Sequence, residues 1–141
     1  HAEYHLSKAL AINPRSSPLY CYLGMSLHAN NNAQQALKML SAAIDMDAAN
    51  PLARFQKAQV LLSLGRLDIA LEELTKLVEM APKEGSVYFQ LGKVYKKLGR
   101  PTEAMVALTT ALDLSPRDSQ QIKLALANLD RSDGEDESTQ L

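Results

Sequence analysis

Tryptophan is absent from this sequence, and tyrosine and phenylalanine together supply only 5% of it. Such scarcity argues against a sandwich of aromatic-rich strands, because sheets draw on aromatic and β-branched residues. There is a single cysteine, Cys21, so no internal disulfide can form. No cluster of cysteine and histidine marks a structural metal, and a reducing compartment, nucleus or cytoplasm, is the expectation. Neither sign of charge dominates: 15 basic side chains stand against 16 acidic ones, for a net charge of -1. No global field therefore draws the chain to nucleic acid or to an anionic membrane. Nor does any stretch approach the roughly 18 apolar residues of a membrane span. The opening segment HAEYHLSKAL lacks the basic, apolar and small order of a signal peptide.

What the chain does have is alanine and leucine. With 141 residues, 46% hydrophobic content and 22% charge, it has the composition of a globular domain, and its commonest residues are strong helix formers. An all-α class is predicted.

The chain also repeats itself every 34 residues. Ala2, Ala36, Ala70 and Ala104 stand one period apart, as do Leu6, Leu40, Leu74 and Leu108, and again Ala9, Ala43, Leu77 and Ala111. A fourth column reads Pro14, Ala48, Pro82 and Pro116, three of them the residue that cannot continue a helix. Within a unit the apolar positions recur at three and four, as in Leu37, Leu40, Ala43 and Ile44 or Leu71, Leu74, Leu77 and Val78. That spacing marks the buried face of an amphipathic helix. Midway between the prolines fall Asn30-Asn31-Asn32, Leu64-Gly65-Arg66 and Leu98-Gly99-Arg100, where Asn or Gly can adopt the left-handed conformation that ends a helix. Each unit is thus helix, turn, helix.

The predicted helices are 1–12, then the pairs 18–30 with 33–47, 51–64 with 67–80, and 85–98 with 101–114. A last helix over 118–129, with Ile122, Leu126 and Leu129 on one face, is predicted to cap the stack. The organisation expected is the second helix of a truncated repeat at 1–16, repeats at 17–50, 51–84 and 85–118, a capping helix at 119–130 and a disordered acidic tail at 131–141. Because His1 lies inside a helix and the first unit lacks its opening helix, the chain reads as one end of a longer array.

These columns resemble the tetratricopeptide pattern W-x2-L-G-x2-Y…A-x3-F…P. Tyr88, Leu91, Gly92 and Tyr95 stand at its W, L, G and Y places, followed by Ala104, Leu108 and Pro116. Another unit offers Tyr20, Leu23, Gly24 and Leu27, then Ala36 and Leu40; the middle one departs, with Arg54, Lys57, Ala58 and Leu61. Longer strings, ALAINPRSS, NPLARFQKAQVL, and APKEGSVYFQLGKVYKKLGRPTEA followed by ALDLSP, resemble the C-terminal repeats of the tetratricopeptide scaffold subunits of the anaphase-promoting complex, a ubiquitin ligase. Val87, Phe89, Lys93, Val94, Lys96 and Lys97, which lie outside the shared columns, carry that closer likeness.

The resemblance implies a right-handed superhelix of helix pairs. It also implies a protein-interaction scaffold that joins other subunits of the complex and receives the Ile-Arg tails of coactivators. Family geometry places on the concave wall Cys21, Met25 and His28; Phe55, Gln59 and Leu62; and Phe89, Lys93 and Lys96. These form a candidate peptide groove, apolar at first and basic toward its C-terminal end. The bland reading of Phe55 and Phe89 is that they pack between neighbouring first helices. None of the nine is a carboxylate, which an arginine-ended tail would want, so the pocket for such a tail is expected upstream of His1. Homodimerisation would likewise belong to upstream repeats.

Chemistry has little footing here. His1 and His5 have no acid or thiol at ligand spacing, Cys21 reads as a small buried hydrophobe, and no glycine-rich phosphate loop occurs. No catalytic residue, cofactor or metal is expected. Lys93, Lys96, Lys97 and Arg100 are best read as cations favoured by a helix C-terminus. For the carboxylate clamp of a chaperone-tail receptor, Lys93 lacks its companions. Two other readings stay open: a cochaperone-like peptide-binding array, and a regulatory repeat domain of a larger enzyme such as a glycosyltransferase.

Overall fold

The computed structural model describes residues 2–12 and 16–129. It divides into two compact units, His1–Met80 and Ala81–Leu141, and among the described residues every regular element is helical. The proposed tail at 131–141, and Asn13, Pro14 and Arg15, lie outside the described residues.

The first unit holds α1 (Ala2–Ile12), α2 (Ser17–Ala29), α3 (Ala33–Met46), α4 (Pro51–Ser63) and α5 (Leu67–Met80). Successive helices pack on one another, and α2 also touches α4. The start of α2 falls one residue earlier than the proline suggested, because the Ser16 hydroxyl accepts from the Leu19 amide at 3.3 Å and caps the helix. Asn50 does the same for α4, accepting from the Ala53 amide at 3.2 Å. In both, the cap satisfies an amide that has no partner inside the helix, and a proline follows in the first turn, where its missing N–H costs nothing.

The second unit holds α6 (Gly85–Lys97), α7 (Pro101–Leu114), a 3-10 turn at Pro116–Asp118 and α8 (Ser119–Ala127). The last helix is shorter at both ends than periodicity implied. At its start the Asp118 amide donates to the Ser115 carbonyl at 3.1 Å, closing a tight turn around Pro116. At its end the Asn128 amide is shared between the Leu124 and Ala125 carbonyls, a tightening usual in a terminal turn.

The repeat columns are the core. Ala36, Ala70 and Ala104 are 0% exposed, and Leu40, Leu74 and Leu108 at most 1%. Small residues sit where helices approach most closely: a Cβ on Gly24 would lie 2.7 Å from Cγ of Leu40, and one on Gly92 2.6 Å from Cγ of Leu108. The turn column also behaves as one position, with φ of 63° at Asn31, 75° at Gly65 and 76° at Gly99. After each of these a backbone amide reaches back to close the helix: Asn32 to Leu27 at 2.8 Å, Arg66 to Leu61 at 2.9 Å, Arg100 to Tyr95 at 2.8 Å.

Candidate peptide-binding faces

In the first unit the predicted wall residues come from α2 and α4. The structure corrects one of them. Cys21 is 1% exposed and belongs to a cluster with Leu23, Leu27, Ala36, Leu40, Ala43, Ala53 and Val60. It fills the core and offers no surface to a ligand. Burial also raises its thiol pKa above the ordinary value, the reverse of what a nucleophile needs. Met25, His28, Phe55, Gln59 and Leu62 are all half-buried, and Met25 packs on the same cluster.

His28 ties α2 to α4, its Nε2 lying 3.2 Å from the Ser63 hydroxyl. Ser63 in turn donates to the Val60 carbonyl at 2.7 Å. The serine proton is therefore committed to the backbone, and Nε2 is the donor to the serine oxygen. A serine activated by histidine requires the opposite polarity, so this pair positions helix ends and leaves Nδ1 for an outside partner.

In the second unit Phe89, Lys93 and Lys96 share α6, with Phe89 and Lys96 half-buried and Lys93 exposed. Phe89 packs against the cluster of Leu108, Ala111 and Ile122, contributed by α7 and α8. The Lys93 ammonium lies 4.6 Å from the Phe89 centroid, within the range of a cation–π contact. Desolvation, and then the neighbouring Lys97, hold Lys93 below the ordinary lysine pKa. A ligand approaching α6 here meets an aromatic ring already topped by a cation, a surface suited to an anionic group.

Sequence reasoning missed a part-buried ion pair in the middle repeat. Arg54 Nη1 lies 3.1 Å from Glu73 Oε2, with side chains 14% and 8% exposed, and Arg54 Nε donates to the Ala48 carbonyl at 3.4 Å. The signal was present: Arg54 replaces the aromatic of Tyr20 and Tyr88, while Glu73 replaces Met39 and Ala107, so two departures fall in one repeat. A second missed link is polar, with Ser17 donating to the Ala43 carbonyl at 2.8 Å and accepting from Asn50 Nδ2 at 3.1 Å. Among the described residues no group of three or more His, Cys, Asp or Glu side chains could hold a metal ion, and no helix is long and apolar enough to cross a membrane.

Comparison with known proteins agrees with the repeat. Three sequence profiles, each described as a tetratricopeptide repeat, match residues 27–91, 85–118 and 5–38. Cell division cycle protein 27 homolog B of Arabidopsis thaliana is 44% identical over 63 residues, which is 45% of this chain and 8% of that protein. Anaphase-promoting complex subunit 3 of Schizosaccharomyces pombe is 38% identical over 76 residues, 54% of this chain and 11% of the relative. The matched part thus spans about a tenth of those proteins. Among solved structures, YrrB, a tetratricopeptide protein with an unusual peptide-binding site, superposes with a TM-score of 0.79 at 20% identity, covering 88% of this chain and 63% of that one. The tetratricopeptide domain of Arabidopsis OM64 gives 0.77 at 23% identity, covering 82% and 94%. At such identities these structures speak for the fold alone.

Proposed function

This chain is a tetratricopeptide-repeat protein, an interaction module by fold, and we propose that it serves as a non-catalytic scaffold arm of an anaphase-promoting complex subunit. In that role it contacts other subunits of the complex and helps recruit coactivator C-terminal tails for ubiquitin ligation in the cell cycle, in nucleus and cytoplasm. The observation that carries this reading is the difference in identity between two sets of relatives. Solved tetratricopeptide arrays of the same fold share 20% and 23% of residues with this chain. The cell division cycle protein 27 homolog shares 44% over its matched stretch of 63 residues.

The half-buried inner residues support a peptide-binding role. Met25, His28, Phe55, Gln59 and Leu62 in the first unit give an apolar face with one free imidazole nitrogen; Phe89, Lys93 and Lys96 in the second give an aromatic face under a cation. Affinity purification of the tagged full-length protein from dividing cells tests the assignment. Co-purification of the ligase subunits in stoichiometric amounts is expected. Recovery of a chaperone in their place would favour the cochaperone-like reading, and recovery of neither would overturn the scaffold role. Replacing Phe55 and Phe89 by alanine then tests the inner faces, because unchanged binding of a coactivator-tail peptide would remove them as its receptor.

A further inference from the structure

The exposed side of α7 differs chemically from that of α3 and α5, while in α1 the position matching Val106 holds the exposed Tyr4, whose ring lies under Lys8. Position 106 holds valine, 63% exposed, where α3 has Lys38 and α5 has Glu72. Beside it Met105 is 54% exposed, and position 110 is threonine where α3 has Ala42 and α5 the exposed Lys76. The threonines do not restore polarity. Thr109 and Thr110 donate their hydroxyls to the carbonyls of Met105 and Val106, each at 2.8 Å, so their hydrogen-bonding protons are held by their own helix. Over two turns the strip is uncharged.

The charged residues of α7 are Glu103 and Asp113, both exposed carboxylates, and the helix has no basic residue. They stand about 15 Å apart along the helix axis, one at each end of the uncharged strip. Arg100 reaches Glu103 at 3.9 Å, but both side chains are more than half exposed, and such a pair has little strength in water.

We propose that the outer face of α7 docks an amphipathic helix of a partner protein, one with an apolar stripe and a lysine or arginine at each end. An uncharged strip with helical spacing accepts the ridge of another helix, and carboxylates at both ends favour cationic ends on the incoming one. The same charges disfavour the two other available occupants. A second copy of α7 would set Glu103 and Asp113 against carboxylates in either orientation. The chain's own residues 130–141 carry Asp130, Asp133, Glu135, Asp136 and Glu137 against Arg131 and would be repelled. The surface is separate from the inner faces and does not depend on the identity of their ligand.

The test uses two fluorescein-labelled synthetic helices with the same leucine stripe, one with lysine at both ends and one with glutamate, titrated with the full 141-residue chain and read by anisotropy. The lysine-ended peptide binds about ten-fold more tightly. Val106→Lys, which restores the charge of the Lys38 place, weakens it about ten-fold with an unchanged thermal midpoint. Glu103→Gln with Asp113→Asn erases the preference between the peptides. Equal binding of the two peptides, or indifference to Val106→Lys, overturns the proposal. So does a sedimentation experiment in which the chain dimerises and Val106→Lys abolishes the dimer, since that gives the face to a second copy.

Discussion

Arg54 and Glu73 form a part-buried ion pair, 3.1 Å between Nη1 and Oε2, in columns where the flanking repeats have Tyr20 and Met39, and Tyr88 and Ala107. The pair holds α4 to α5 by charge. Lys76 approaches the other carboxylate oxygen at 4.0 Å, so Glu73 stands between two cations. Removing one member of a buried pair strands the other charge, whereas replacing both by apolar residues is often neutral or stabilising.

Glu73→Ala alone is therefore expected to destabilise the chain by about 1.5–3 kcal/mol. The double change Arg54→Tyr with Glu73→Ala, which copies Tyr88 and Ala107, restores most of that loss. Urea denaturation of the three proteins measures both values. A double variant as unstable as the single one would mean that the pair has no equivalent in the neighbouring repeats.

Gly92→Ala places a methyl 2.6 Å from two atoms of Leu108, and overpacking of that kind costs about 1–3 kcal/mol. The middle repeat already has Ala58 in this column, 1% exposed, so Ala58→Gly should leave its neighbours unstrained and merely lose a methyl and helix propensity. A thermal midpoint lowered by Gly92→Ala, and rescued by shortening Leu108 to valine, is the expected pattern.

Gly99 has open space where a Cβ would stand, yet its φ is +76°. Gly99→Ala is thus a test of backbone strain without a steric clash, and about 1–2 kcal/mol of lost stability is expected. Gly99→Asn should lose less, since Asn31 occupies the same column at φ 63°. Equal losses for the two would contradict the single-column reading.

Lys93 has a lowered pKa in the folded chain, from desolvation first and Lys97 second. Between that lowered value and the ordinary value of 10.5 the unfolded chain binds more protons than the folded one, so stability rises with pH across this window. Below it, charged Lys93 counts against folding. Lys93→Met should flatten the rise in urea midpoint as pH approaches 10.5, and a parallel pair of curves would refute the assignment to Lys93.

The fold was legible because solenoid packing is local. Leu40, Leu74 and Leu108 are buried by the helices next to them, so a column in sequence maps directly onto a column in space, and turns at Asn31, Gly65 and Gly99 announce the helix ends. The faces were legible in direction but not in exposure. Periodicity puts Cys21 one turn from Met25 on the same helix, yet only packing in the cluster that α2 builds with α3 and α4 decides that the thiol disappears while the thioether stays half open. Arg54 and Glu73 could be noticed as departures from their columns, but their meeting depended on side chains reaching across two helices. The α7 strip shows the same division. Valine at 106 is read from the sequence; the return of the Thr109 and Thr110 hydroxyls to their own backbone, which occupies their protons, is a property of rotamers. The sequence by itself determined the helices, their order and their buried columns, since these follow from local propensity and near-neighbour contact. The tertiary structure decided which residues on each helix reach solvent, partner or core, because that depends on the volume and charge of side chains brought from other helices.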